Sequence, residues 1–160
     1  MWHNDEKKRL QNAERESLDL LRELDTKNLA ITELALALLY LGEGTKQKNE
    51  TGIGSSDPLS LKFFITCLRK IYEVPEDKIK CELHLRSDQD PEKMLIFWSN
   101  ELQVPKETFT KPYLDKRTNG TVAYSTYKGV YLVRCGRVAI QRKVVYIAKH
   151  FCTKVSANVQ

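Results

Sequence analysis

Three groups of residues in this 160-residue chain have the types and spacing to act on another molecule. The first centres on a carboxylate. Glu43 stands between Gly42 and Gly44 and is the only acid between Glu33 and Glu50, with Lys46 and Lys48 following at once. The two lysines either contact phosphates or solubilise a loop. The second group is an alternating row, Lys80, Glu82, His84 and Arg86, interleaved with Ile79, Cys81, Leu83 and Leu85. On a strand that alternation buries the apolar set and turns the long polar set outward. His84 in such a row is either a base or DNA contact, or a plain polar surface residue. The third group is the C-terminal third. Residues 104–160 hold 11 Lys/Arg against Glu107 and Asp115, a balance of +9, whereas residues 1–103 hold 15 Lys/Arg against 19 Asp/Glu, a balance of −4. Such asymmetry points to a nucleic-acid or anionic-membrane surface, the alternative being a basic face with no partner, and nothing in the chain resembles a basic amphipathic membrane anchor. Lys111, Lys116, Arg117, Lys128 and Arg134 supply the charge there, with Tyr113, Tyr124, Tyr127 and Tyr131 among them. Some of these tyrosines are expected to touch DNA and several to be core.

Stepping outward from these residues, the elements that must position them are legible as patterns. Residues 5–24 read as a helix with a thin apolar stripe, Leu10, Leu18, Leu21 and Leu24. Residues 28–41 are apolar almost all round and are expected to be buried on every side, with Gly44 as a left-handed C-terminal cap. Residues 45–56 read as a short hairpin or a single strand. Asp57-Pro58 and Asp90-Pro91 each start a helix. Residues 78–86 are the clearest strand, and Asn119-Gly120 signals a hairpin between strands at 121–127 and 130–135. A last helix is expected over 137–151. The order predicts an α+β layered domain. Its expected divisions are an N-terminal helical extension (1–27), the DNA-binding domain (28–152) and a tail (153–160).

Cys67, Cys81, Cys135 and Cys152 are widely spaced, without a C-x-x-C pair, so a zinc site is not expected. Each lies among apolar residues and reads as a buried thiol in a reducing compartment. No apolar run approaches the ~20 residues that span a bilayer, and the first residues do not read as a signal peptide. The expectation is a cytoplasmic protein, nucleoid-associated when on DNA, with no membrane partner and no small-molecule substrate.

The stretch Leu36-Ala37-Leu38-Leu39-Tyr40-Leu41-Gly42-Glu43-Gly44 resembles the nonapeptide of the LAGLIDADG homing-endonuclease family. Leu36, Ala37, Leu39 and Gly44 match its consensus, and Glu43 takes the place of the catalytic second Asp. Leu38 stands where the consensus has Gly, and Leu41 where it has the first Asp. The chain is also similar to a prokaryotic group of LAGLIDADG-like proteins with a Gly-Glu-Gly-Thr-Lys core. The stretches that carry this likeness are residues 39–46, 55–58, Phe97-Trp98-Ser99 and Phe109-Thr110-Lys111-Pro112. It covers about residues 30 to 150.

The resemblance implies an antiparallel sheet with helices packed on one face, its other face laid on duplex DNA. It implies a homodimer through the helix at 28–42, and Mg²⁺ held at Glu43 beside Gly42. Lys111 would position a catalytic water or phosphate, or merely cap a strand. The implied DNA contacts are Lys46, Lys48, Lys80, Glu82, His84, Arg86, Lys116, Arg117, Lys128 and Arg134, where Arg and Lys meet guanine edges or phosphates and Glu accepts from cytosine. One chain offers one such carboxylate, so cleavage of both strands would need two copies of Glu43. Two readings follow: a Mg²⁺-dependent double-stranded DNA endonuclease acting as a homodimer, or a DNA-binding regulator of the same fold that does not cut.

Overall fold

The computed structural model describes residues 2–122, 124 and 126–158. Its elements run α1 (Trp2–Glu23), α2 (Leu29–Glu43), β1 (Thr51–Ser55), α3 (Pro58–Lys70), β2 (Ile79–Arg86), α4 (Pro91–Leu102), β3 (Tyr113–Asp115), β4 (Val130–Cys135) and α5 (Val138–Ala157). The chain divides into two units, residues 1–32 and 33–160, so the division falls inside α2.

In the first unit, α1 carries Leu10, Leu18, Leu20 and Leu21 exposed, and Leu24 just after it is exposed as well. Local terms hold such a helix: Arg22 pairs with Asp19 across one turn. The start of α2 is set by Asn28, whose side-chain oxygen accepts from the backbone N–H of Ala30 at 2.8 Å.

The second unit is an α+β layer. Four strands form one sheet in the order β1-β4-β2-β3. Alternation on β2 buries Ile79, Cys81, Leu83 and Leu85, as expected, and they join Ile53, Tyr131 and Val133 in a single core with residues of α2, α3, α4 and α5. Both Asp-Pro starts are realised. Asp57 accepts from the N–H groups of Leu59 and Ser60, and Asp90 from those of Glu92 and Lys93. Thr51, buried on the core side of β1, donates to the Arg137 carbonyl (2.7 Å) and accepts from the Gln141 N–H (2.9 Å), which ties β1 to the first turn of α5.

The sheet is mixed, not antiparallel. β1–β4 and β4–β2 are antiparallel, but β3 lies parallel to β2, because α4 carries the chain back to the same end before β3 begins. Among the described residues there is no hairpin. At Asn119-Gly120 the chain makes a type II turn: Asn119 has φ −57°, ψ 134°, Gly120 has φ 78°, and the Thr121 N–H reaches the Thr118 carbonyl at 3.2 Å. A type I′ hairpin turn needs positive φ at both positions, and the preceding 3-10 turn, Lys116–Thr118, sets Asn119 otherwise. The described residues of the expected strand at 121–127 form no strand; Ala123 and Ser125 lie outside the described residues.

Three further expectations are corrected. α2 is not buried all round: Leu36, Ala37 and Tyr40 face the core, while Ala35, Leu38, Leu41 and Gly42 form an exposed stripe. Gly44 has no positive φ. It is glycine because a Cβ there would run into the Tyr40 carbonyl and ring, where the chain folds back to bridge Ile53. α5 continues to Ala157, through most of the expected tail, and this extra length leaves Cys152 exposed while the other three cysteines are buried.

Both sheet edges are covered or short. Outside β1, Gly44 bridges Ile53 and the Thr45 N–H bonds the Gly52 carbonyl at 2.8 Å. On the other side, β3 is three residues long and follows Lys111-Pro112.

One half-buried polar cluster joins three parts of the fold. Glu33 on α2 meets Lys143 of α5 at 2.6 Å and accepts from the Tyr72 hydroxyl, just after α3, at 2.7 Å. Burial works to raise the Glu33 pKa, but the hydrogen bonds from Lys143 and Tyr72 and the lysine's charge outweigh it and hold the carboxyl below its usual 4.5. A carboxylate held low stabilises the fold above its unfolded value, and that contribution is lost as pH falls through the lower folded value. Urea unfolding should therefore show a loss of stability between pH 5 and pH 3 that is smaller in Glu33→Gln; an identical loss in both proteins would remove Glu33 from the acid response.

Candidate nucleic-acid interface

The face of the sheet opposite the core gathers one part of the expected contact set. Lys80, Glu82, His84 and Arg86 project from β2, as alternation requires. Antiparallel register sets Arg134 of β4 directly opposite Lys80, and directly opposed residues share a face. Arg134 is held between two carboxylates, 3.5 Å from Glu50 and 3.2 Å from Glu82. Glu82 also lies 2.9 Å from Nε2 of His84, whose ring is 5.4 Å from that of Tyr113. Arg86 pairs with Asp88 at 3.2 Å. The arginines of this face thus bring their own counter-charges.

Next to Arg134 the face is bare. Gly52 and Gly54 of β1 stand opposite Arg134 and Leu132, so β1 puts no side chain on this side. A Cβ at Gly52 would come within 2.9 Å of the Val133 carbonyl oxygen and 3.0 Å of the Arg134 Cβ. Gly52 is buried and Gly54 half-buried, so the glycines serve the close packing of β4 and Arg134 against β1.

At the β3 end the face falls into a cleft of about 560 Å³, walled by His84, Tyr113, Tyr124 and Tyr127 and edged by Arg86 and Arg117. Arg117 clasps Asp115 through two hydrogen bonds of 2.9 Å, and these bonds lower the aspartate's pKa from its ordinary value. A second cleft of about 500 Å³ shares Tyr124 and Tyr127 and is lined on its other side by Phe97 and Lys128. The Lys128 ammonium lies 5.7 Å from the centre of the Phe97 ring. Tyr124 and Tyr127, in edge contact at 5.6 Å, form the wall between the two clefts.

The residues expected to do chemistry are placed apart. Glu43 and Gly42 are exposed at the end of α2, beyond the β1 edge; Lys111 is exposed beside the β3 edge. With four strands from edge to edge at ~4.8 Å each, roughly 14 Å separates them at least, so within one chain they cannot act on one phosphate. Lys46 and Lys48 follow Glu43 outside β1, and the Lys46 ammonium lies 3.4 Å from the Leu41 carbonyl, at the negative end of α2. Among the described residues no three His, Cys, Asp or Glu side chains come together as a metal cluster.

The basic C-terminal third is not one surface. Arg117, Lys128 and Arg134 border the open face or its clefts and Lys116 lies exposed in the 3-10 turn after β3, but Arg142, Lys143, Lys149 and Lys154 ride on α5 in the helical layer. Of the four tyrosines, Tyr131 is core, against Trp98 at 4.6 Å, while Tyr113 and Tyr124 are 53% and 72% exposed. Sequence reasoning missed the carboxylates Glu50, Asp88 and Asp115 as partners of the arginines. It had no signal for them, since only strand register and turn geometry bring them within reach.

Comparison with protein-family models, with curated proteins and with solved structures finds no match. No described helix is long and apolar enough to cross a membrane.

Proposed function

We propose that the chain binds double-stranded DNA across the open face of its sheet. The observation that carries this reading is the Lys80–Arg134 pair, set side by side in register next to the glycine strip of β1. Two cations side by side on one face offer counter-charge to a phosphate strand, while Glu82, His84 and Arg86 offer donors and acceptors to base edges. The likeness of residues 36–44 to the LAGLIDADG nonapeptide points the same way.

Arg134 gives the sharper test. Arg134→Ala exposes Glu50 and Glu82 to the phosphates as unneutralised charges, whereas Lys80→Ala removes one positive charge and leaves those carboxylates paired. Duplex affinity, measured by fluorescence anisotropy at fixed salt, should fall several-fold for Lys80→Ala and by about tenfold or more for Arg134→Ala, given roughly 1–3 kcal/mol for a good base or phosphate contact. Unchanged affinity in both variants refutes the interface.

A second reading, cleavage, is favoured by one observation. Glu43 is an exposed acid at the C-terminal end of α2, where the helix dipole disfavours negative charge by about 0.3–1 kcal/mol. The residues of one chain do not fit a magnesium site, because among the described residues no three His, Cys, Asp or Glu side chains come together to hold a metal, and no cleavage step is derived from Glu43. A homodimer through the exposed Ala35, Leu38, Leu41 and Gly42 stripe would supply a second Glu43 and so a shared site for Mg²⁺. In that case Glu43→Gln should abolish Mg²⁺-dependent nicking of duplex DNA while leaving duplex binding intact and the fold slightly more stable. Wild-type protein that binds DNA but never cuts, across targets and divalent metals, ends the nuclease reading and leaves the binding one standing.

A further inference from the structure

The cleft at the β3 end and the second cleft behind its tyrosine wall are not explained by a flat sheet face on an intact duplex. In paired DNA the bases are stacked, and their faces are closed to side chains. Yet Tyr113 and Tyr124 hold exposed rings at the mouth of the first cleft, and Tyr124 with Tyr127 divides it from the second. The first cleft, about 560 Å³, falls in the range of roughly 300–1,000 Å³ that takes small molecules. At its rim Arg117 is fixed in a two-bond clasp with Asp115 and Arg86 is fixed by Asp88, so both guanidinium groups are held in place. Aromatic walls with cations at the rim suit a ligand that is flat and aromatic in one part and anionic in another.

We infer that these paired clefts receive unstacked nucleotides of a DNA strand, one base on each side of the Tyr124–Tyr127 wall, with the linking phosphates toward Arg86, Arg117 and Lys128. This deepens the proposed function and rests on it, because the first cleft opens from the face assigned to DNA, and the second lies just across the tyrosine wall, against Pro58 of α3 and Phe97 of α4. Stacking on an aromatic ring is available to every base, so this contact would mark where a duplex is open and would be tolerant of sequence. The cost of unstacking is smallest where the bases are already unpaired.

The test compares three probes with the full chain by fluorescence anisotropy and competition: a fully paired duplex, the same duplex with a central three-base mismatch bubble, and free thymidine monophosphate. The bubble is expected to bind about tenfold tighter than the duplex, and the free nucleotide only weakly. Tyr113→Ala and Tyr124→Ala should each remove most of that gain without changing duplex affinity. Both side chains are exposed, and unchanged duplex affinity with an unchanged melting temperature shows that the variants remain folded. Equal binding of bubble and duplex overturns the inference while leaving duplex binding standing. Loss of duplex and bubble affinity together in the variants also overturns it, since the tyrosines would then serve the duplex. Tight binding of the free nucleotide with no gain for the bubble overturns the assignment to a strand. Binding of neither DNA would overturn the proposed function as well.

Discussion

Across a salt series, the logarithm of duplex affinity is expected to fall with a slope of about −4 against the logarithm of salt concentration, or roughly two decades between 50 and 200 mM. The figure comes from which cations are free to neutralise phosphate. Lys46, Lys48, Lys80 and Lys116 have no carboxylate partner among the described residues. Arg86, Arg117 and Arg134 each have one in hand already. Each phosphate neutralised contributes about −0.9 to the slope, so four unpaired lysines give a value near −4. A count of every expected basic contact would give nearly twice that. A slope near −6 would mean that the three arginines also abandon Asp88, Asp115 and Glu82 for phosphate on binding, at about −0.9 each. A flat response would remove DNA as the ligand.

Replacing Trp98 by alanine should cost about 3–5 kcal/mol of unfolding free energy, read from urea denaturation, a large share of the roughly 5–15 kcal/mol that domains of this kind possess. Trp98 is fully buried, in edge contact with Phe97 at 5.5 Å and against Tyr131 at 4.6 Å. Its indole N–H donates to the Lys128 carbonyl at 2.8 Å. That bond fixes the chain just before Gly129, whose φ of 89° and close approach to Leu85 and the His84 carbonyl leave no room for a side chain. Trp98→Phe keeps most of the packing and loses the bond, so a smaller loss of about 1–2 kcal/mol is expected, with damage concentrated in the second cleft. A cost under 1 kcal/mol for Trp98→Ala would show that the core does not depend on this contact.

The sequence patterns were most informative where one residue type decides local structure. Asp57-Pro58 and Asp90-Pro91 mark helix starts because the capping carboxylate and the missing proline N–H act within one turn. The β2 alternation holds because one face is core. Patterns that depend on distant partners were misleading. Asn119-Gly120 carries a hairpin signal, but β4 pairs with β1 and β2 instead, so no strand was there to complete it. The apolar residues of α2 imply burial on all sides, yet one chain covers only the Leu36, Ala37 and Tyr40 side. The cationic residues of the candidate interface could be listed from sequence; their carboxylate partners could not, because Arg134 meets Glu50 from 84 positions away and Glu82 through strand pairing.

The covered edges of the sheet bear on how this protein behaves at high concentration. An open sheet usually invites further strands to add at its margins, which is how many β-containing proteins aggregate. Here residues 44–45 occupy the hydrogen-bonding positions outside Ile53 and Gly52, and the opposite margin is a three-residue strand preceded by Lys111-Pro112. The sheet cannot readily lengthen sideways into a fibre. It can display its open face without offering its margins as a template for further strands.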